Sequence, residues 1–278
     1  MSPQSSPSIL RIIRGPDDFA AAFDASRETI ERLVLYERLL RQWQKAVNLV
    51  APSTLETVWH RHFADSAQLL PLAACGTRSW IDLGSGAGFP GLVVAILLAS
   101  PPSPRALPTS PRAPSARGEG HGGAVPPARG EGQQHTPTAE PLAAPHPNPA
   151  SGERGSPRVT LIESDTRKCA FLREVARRTA VAVDILSARA ESARTSLKEG
   201  LPRIVSARAL APLDRLLGLA APISPPGTKL LLLKGKEAAK ELQMAESTWN
   251  FDVALIPSVT DRHGRIAVIT NLERKAKD

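Results

Sequence analysis

The N-terminal quarter of the chain carries apolar residues at helical spacing. Pro16, followed by Asp17 and Asp18, opens a first helix: proline suits the first helical position, and acids complement the positive end of the helix dipole. Between Ser26 and Lys45, Ile30, Leu33, Val34, Leu40 and Trp43 fall on one face. Glu28, Glu31, Arg32, Glu37 and Arg41 fill the other, which predicts an amphipathic helix. Asn48 to Pro52 breaks it, and a further helix is expected from about Ser53 to Leu70. Beyond Ser79 the rhythm changes. Short apolar runs at 79–83, 159–163, 181–187, 203–207 and 229–233 are each followed by a helical pattern, at 89–99, 166–179, 191–198, 213–221 and 237–246. Two last runs, 251–256 and 265–270, read as an antiparallel pair joined through Asp261 to Gly264. Strands alternating with helices predict an α/β fold with a seven-stranded, mostly parallel, doubly wound sheet. Residues 16–75 then form an N-terminal helical cap, and 76–99 with 158–278 form the α/β domain.

One segment fits neither pattern. Residues 100–157 hold 14 of the 26 prolines and 8 of the 19 glycines, and no Ile, Phe, Trp, Tyr, Met or Lys. Such a composition buries too little apolar surface to offset its ordering entropy, so a disordered insert is expected. Ala116-Arg-Gly-Glu-Gly120 recurs as Ala128-Arg-Gly-Glu-Gly132, which suggests late insertion of repetitive sequence. A tethering role has little support, because five arginines against four glutamates leave the segment almost neutral.

The densest chemical signal is Asp82-Leu-Gly-Ser-Gly-Ala-Gly-Phe-Pro-Gly91. A strand that turns on glycines into a helix lets backbone approach a ligand closely and aims the helix N-terminus at it. Gly86-x-Gly88-x-x-Gly91 is a literal dinucleotide fingerprint, a weak signal by itself. Asp82, two residues before Gly84, would face a pyrophosphate unfavourably. It suits a cationic ligand, such as the sulfonium and amino group of S-adenosylmethionine. Acid-x-Gly-x-Gly-x-Gly resembles the first motif of the Rossmann-like, class I methyltransferases. Such a fold expects an acid about 20 positions past the first glycine, at the end of the second strand, to hold the ribose hydroxyls. Glu163 lies 79 positions past Gly84, or 21 once the 58-residue insert is discounted.

Composition narrows the setting. The net charge of +8 favours an anionic partner such as nucleic acid. Cys75 and Cys169 form neither a disulfide framework nor a zinc spacing, and both read as small apolar fillers. With no apolar run long enough for a membrane span and no secretory leader pattern, a cytoplasmic protein is expected, without metal or membrane and as a monomer.

Further segments make a resemblance specific. Asn48-Leu49, Arg61-His62-x-x-Asp65-Ser66, the glycine stretch, Lys168-x-x-Phe171-Leu172, Ser206-Ala-Arg208-Ala209 and Leu233-Lys234-Gly235 follow in an order that resembles the bacterial small-subunit ribosomal RNA (guanine-N7) methyltransferase G family, also called glucose-inhibited division protein B. The resemblance covers most of residues 28–250 apart from the insert. It implies a helical cap on a Rossmann-like methyltransferase domain and methyl transfer from S-adenosylmethionine to N7 of a guanine in 16S rRNA of the small ribosomal subunit. It implies that Gly84, Phe89, Ala190, Glu191 and Arg208 contact the cofactor, beside the motif residues Asp82, Gly86 and Glu163. For Arg208, repulsion by the sulfonium leaves two other roles open, holding the methionine carboxylate or the RNA. Glu191 and Arg208 could also be plain surface charges.

Catalytic residues are less legible. The strand end at Ser206 to Pro212 lacks the Asp/Asn-Pro-Pro-aromatic motif of amino-group methyltransferases, and neither cysteine is placed for carbon-5 chemistry. Guanine N7 is an unprotonated lone-pair nucleophile and needs no general base, so none is assigned; His62, Arg208 and Lys234 are the candidates. His62 could touch the target base or a phosphate, or instead pair with Asp65. Arg61, Arg167, Lys168, Arg208, Lys234 and Lys236 could form a basic rim for phosphate contacts. Two other classes stay open from sequence: an NAD-dependent oxidoreductase, and a non-enzymatic ribosome-associated RNA-binding protein.

Overall fold

A computed structural model describes residues 12–73, 77, 79–99, 158–192 and 204–276. The 100–157 insert, Cys75 and most of the helical piece expected over 191–198 lie outside the described residues. The strands are β1 (Ser79–Leu83), β2 (Arg158–Glu163), β3 (Asp184–Ser187), β4 (Ile204–Arg208), β5 (Lys229–Lys234), β6 (Trp249–Pro257) and β7 (Arg265–Arg274). They form one seven-stranded sheet in the order β3-β2-β1-β4-β5-β7-β6. β1 to β5 pair in parallel, β7 is antiparallel to β5, and β6 is antiparallel to β7. This is the Rossmann-like, doubly wound arrangement of class I methyltransferases. The strand order reverses between β1 and β4, so a crevice opens at their carboxyl ends.

Period-two alternation divides the strand residues between two cores. Trp80, Val159, Leu161, Ile204 and Leu231 face one hydrophobic cluster; Ile81, Ile162, Val205, Leu230 and Leu232 face the other. The second cluster is closed by α6 (Leu213–Ala220) and α7 (Ala238–Ala245). The first is closed by α4 (Gly91–Ala99), α5 (Thr166–Thr179) and the N-terminal helices α1 (Pro16–Phe23) and α2 (Arg27–Trp43). The helical segment therefore shares a core with one face of the sheet. Ser26 caps α2 by accepting from the Thr29 amide, and Leu33, Tyr36, Leu39 and Leu40 form its buried stripe.

Two expected elements differ. The helix expected from Ser53 to Leu70 is broken into a 3-10 turn at Pro52–Thr54, a wide π-helical turn at Trp59–Ala64, the short α3 (Asp65–Ala67) and a 3-10 turn at Leu70–Leu72. π-turns of this kind concentrate at functional sites, and this one carries Arg61 and His62. β3 starts at Asp184 rather than Val181, because Val181 belongs to the end of α5. Ala180 takes a left-handed φ of 52°, and the Val181 amide donates back to the Ala176 carbonyl at 3.0 Å.

Candidate active site

The glycine turn lies at the carboxyl end of β1, and its backbone requires glycine. Gly84 (φ 66°), Gly86 (φ 57°) and Gly88 (φ 94°) all lie in the left-handed region. A side chain at Gly88 would strike the Tyr36 hydroxyl, and one at Gly91 would come within 2.5 Å of Asp82 Cβ and Leu161. Tyr36 reaches over from α2, donates to the Ala87 carbonyl and stacks on Phe89 at 5.4 Å between centroids. A helix outside the motif thus clamps the turn.

Asp82 is placed differently from expectation. It is fully buried and does not face the crevice. Its Oδ2 accepts from the Gly91 amide at 3.1 Å, at the start of α4. Its Oδ1 accepts from the Ser206 hydroxyl at 2.7 Å, and Ser206 Oγ in turn accepts from Trp80 Nε1 at 2.8 Å. Burial raises its pKa to about 6, against the hydrogen bonds from Ser206, Ser85 and Gly91 that pull the other way. Asp82 fastens the turn to β1 and β4; the strand register places Asp82 directly beside Ser206.

Glu163 stands where the spacing put it, at the end of β2. Its Oε2 accepts from the Gly86 amide and its Oε1 from the Asp165 amide, both at 2.8 Å. With Gly84, Gly86, Lys168, Ala190 and Arg208 it lines a groove of about 270 Å³. A second recess of about 170 Å³ continues from it past Ala190, Glu191 and Arg215. Ser164, Ala190 and Leu210 border both. Glu191 is half-exposed and paired with Arg215 at 3.5 Å. Cys169 is buried, with its thiol on the Glu163 carbonyl.

A larger cavity of about 780 Å³ opens on the other side of the β4 end. Arg208, Ala209 and Leu210 line both it and the glycine groove, so they form a shared wall. Ala209 holds a left-handed φ of 52°, a strained conformation for a non-glycine residue. Leu210 lies against the bare Cα of Gly84, where an added Cβ would meet it at 2.5 Å.

Arg208 is the hub of this wall. Its guanidinium donates to the Arg61 carbonyl at 3.1 Å, to Asp65 Oδ2 at 3.3 Å and to His62 Nδ1 at 2.8 Å. It also lies over the Phe89 ring, 5.0 Å from the centroid. Arginine only donates, so His62 Nδ1 is an acceptor and the proton resides on Nε2, which donates to Thr54 Oγ1 at 2.8 Å. Thr54 in turn donates a hydrogen bond to the Ala51 carbonyl at 2.7 Å. Burial, reinforced by Arg208 and Arg61, lowers the His62 pKa to about 3, so the ring is neutral. His62 stacks on Phe89 at 4.7 Å. Of the two roles open to His62, the pair with Asp65 does not form; Arg208 stands between them and binds both.

The remaining candidates separate. Phe89 is buried in an aromatic stack between Tyr36 and His62. Lys234 is not a rim cation: its side chain is 8% exposed and donates to Glu241 at 2.7 Å and to the Ala211 carbonyl at 3.0 Å. Arg61 pairs with Asp261, whose pKa is lowered chiefly by the His263 amide. Lys236 is exposed, and Lys168 borders the groove. Tyr36, Thr54, Thr260 and Glu241 carry no signal in the sequence, and Ser206 appears there only within the segment that carries the resemblance. Tyr36, Ser206, Thr260 and Glu241 act through hydrogen bonds between distant segments, and Thr54 acts on His62 across the broken helix.

Comparison with known proteins follows the same lines. The family model rRNA small subunit methyltransferase G (GidB) matches residues 29–101 and 152–267. A relative from Rhodospirillum centenum named ribosomal RNA small subunit methyltransferase G is 42% identical over 255 residues, covering 92% of this chain and 90% of its own. A protein of the same name from Parvibaculum lavamentivorans is 39% identical over 256 residues, covering 92% and 89%. Among solved structures, an O-methyltransferase from Bacillus cereus aligns with a TM-score of 0.48 and 11% identity, covering 92% of this chain and 96% of its own. With its glycine turn, its shared wall at Arg208 and these relatives, the chain belongs to the rRNA small subunit methyltransferase G family.

Proposed function

We propose that the protein transfers a methyl group from S-adenosylmethionine to N7 of a guanine in 16S rRNA of the small ribosomal subunit. The observation that carries this reading is the wall of Arg208, Ala209 and Leu210, which borders a groove of about 270 Å³ on one side and a cavity of about 780 Å³, roomy enough for an extruded nucleotide, on the other. Donor and acceptor held on either side of it would meet at one edge.

The groove residues fit the cofactor. The bare backbone at Gly84 and Gly86 offers a close floor, and Glu163 is anchored by two amides with lone pairs left for ribose hydroxyls. The recess past Ala190 suits an adenine ring, with Glu191 at its mouth. The cofactor supplies an electrophilic methyl on a sulfonium. The protein contributes position. When bound, that methyl would pass to N7 with the carbon–sulfur bonding pair staying on sulfur, and the positive charge would move to the purine. No proton moves in that step, which agrees with a His62 whose only lone pair is already taken by Arg208. Catalysis is then orientation plus electrostatic accommodation of a charge that relocates.

The test is incubation of the protein with labelled S-adenosylmethionine and unmethylated small subunits, followed by mapping of the label. N7 of a 16S guanine is the expected position. Label on an exocyclic amino group, on another base or nowhere would sink the reading, as would tight NAD binding without S-adenosylmethionine binding.

A further inference from the structure

N7 carries a lone pair in adenine as well as in guanine, so the nucleophile does not select the base. The opposite edge does. Guanine presents donors at N1 and at its N2 amino group, whereas adenine presents an unprotonated N1. A site that takes guanine needs a fixed acceptor on that side of the cavity.

Three carboxylates line the larger cavity: Asp65, Glu241 and Asp261. In two of them both oxygens already accept from the protein. Asp65 Oδ1 accepts from Gln68 at 2.8 Å and Thr260 at 2.7 Å, while its Oδ2 takes Arg208. Asp261 Oδ1 accepts from the His263 amide at 2.9 Å, and its Oδ2 takes Arg61 at 3.0 Å. Glu241 is different. Its Oε2 accepts from Lys234 Nζ and from the Leu213 amide, both at 2.7 Å. Its Oε1 accepts no hydrogen bond among the described residues, and the side chain is 27% exposed. Lys234 is itself pinned by the Ala211 carbonyl, so the carboxylate is tied to the loop that continues from the shared wall. One oxygen is locked, the other accepts nothing among the described residues, and the residue lines the cavity.

We infer that Glu241 is a specificity-determining residue for the target base. Its Oε1 accepts from N1–H and the N2 amino group of a guanine extruded into the cavity, which leaves N7 turned toward the shared wall. An adenine in the same pose would set its N1 lone pair against the carboxylate. The inference rests on the N7-guanine reading above and names the group that selects the base.

The experiment uses the full-length protein, S-adenosylmethionine and small subunits reconstituted with either guanosine or inosine at the methylated position. Inosine keeps N7 and N1–H but lacks the N2 amino group. The wild-type kcat/KM is expected to be about 10- to 100-fold lower on inosine, the effect of one lost hydrogen bond to a charged group. Glu241→Gln keeps an oxygen for Lys234 and Leu213 but turns an amide NH₂ to the cavity. Its rate on guanosine should fall, and its guanosine-to-inosine ratio should collapse to within about threefold. Equal wild-type rates on the two particles would overturn the inference, and that comparison needs no variant to fold. An unchanged ratio in a Glu241→Gln protein that still binds S-adenosylmethionine would overturn it as well. Absence of N7 label from wild type on guanosine particles would remove the underlying reading and this inference with it.

Discussion

The floor of the glycine groove is bare backbone at Gly84 and Gly86, from one contiguous turn, and its other walls come from 162–168, 188–190 and 208–210. The cavity on the other side of Arg208 is walled by side chains from five separated segments, spanning 49–54, 61–65, 208–212, 233–241 and 258–264. The difference follows from what each would hold. A floor that lets a ligand lie close requires left-handed turns and absent side chains, which are local properties. A chamber that selects a base requires donors and acceptors placed in three dimensions, which only long-range packing supplies.

The sharpest way to break this comparison is at the wall the two regions share. Arg208→Ala removes the donor to His62 and the cation beside Asp65 at once. Methyl transfer is expected to fall by at least about 100-fold, with about 2 kcal/mol of stability lost, because truncating one member of a partly buried ion pair leaves the other uncompensated. Arg208→Lys should not restore transfer, since one ammonium cannot serve three acceptors in a planar fork. Single-turnover assays and denaturant unfolding report the two effects, and a lysine variant with full activity would show that only charge matters there.

Within the groove, two glycines separate packing from binding. Gly88→Ala places a Cβ against the Tyr36 hydroxyl in a left-handed backbone and should cost about 3 kcal/mol. Gly86→Ala meets only the Gly84 carbonyl at 3.8 Å, so its stability cost should be nearer 1 kcal/mol. Its effect belongs on the cofactor side, read as weaker S-adenosylmethionine binding by calorimetry. Equal losses of stability in the two variants would contradict the packing described for Gly88.

The two regions should also differ in sign with pH. His62 has a folded pKa of about 3, below its ordinary 6.5, so the unfolded chain binds the extra proton between these values. Its contribution to stability therefore rises with pH across that window. Asp82 has a folded pKa of about 6, above its ordinary 3.8, so the native state holds the extra proton and stability falls as pH rises between them. Between pH 4 and 6 the two oppose each other, each by on the order of 2 kcal/mol. Unfolding of His62→Asn should show stability falling from pH 4 to 6, and Asp82→Asn should show it rising. Parallel pH profiles in the two variants would show that neither group dominates this range.

The smallest effect is expected at the 100–157 insert. α4 ends at Ala99 and β2 begins at Arg158, at the edge of the sheet away from Glu163 and the groove. Replacing residues 100–157 with a short glycine–serine linker should leave methyl transfer within about twofold, since closure entropy depends weakly on loop length. Loss of cofactor binding in that variant would give the insert a structural role.

Much of the frame was legible because its signals are periodic or local. β1 runs from Ser79 to Leu83 and α5 from Thr166 to Thr179, as the apolar pattern predicts. Glu163 reaches the groove because strand register and turn length fix its position once the insert is discounted. Other residues misled for one reason, that a charge does not announce its partner. Asp82 reads as a ligand for a cation, yet it accepts from Ser206, 124 positions away. Lys234 reads as a rim cation and instead locks Glu241. His62 reads as a partner of Asp65, but the wide turn at Trp59–Ala64 and the arrival of Arg208 give each of them to the arginine.

By itself the sequence determined the alternation of strands and helices, the glycine turn and the acid that follows it, because steric and periodic constraints act within a few residues. Tertiary structure decided the second cavity, the neutral His62 with its proton on Nε2, and the one carboxylate oxygen left open at Glu241. These depend on which polar groups meet across 7 to 200 positions of chain and on how deeply they are buried. Burial sets whether a buried group keeps its charge, and a hydrogen-bond partner sets which atom remains free; neither is a property of any short stretch.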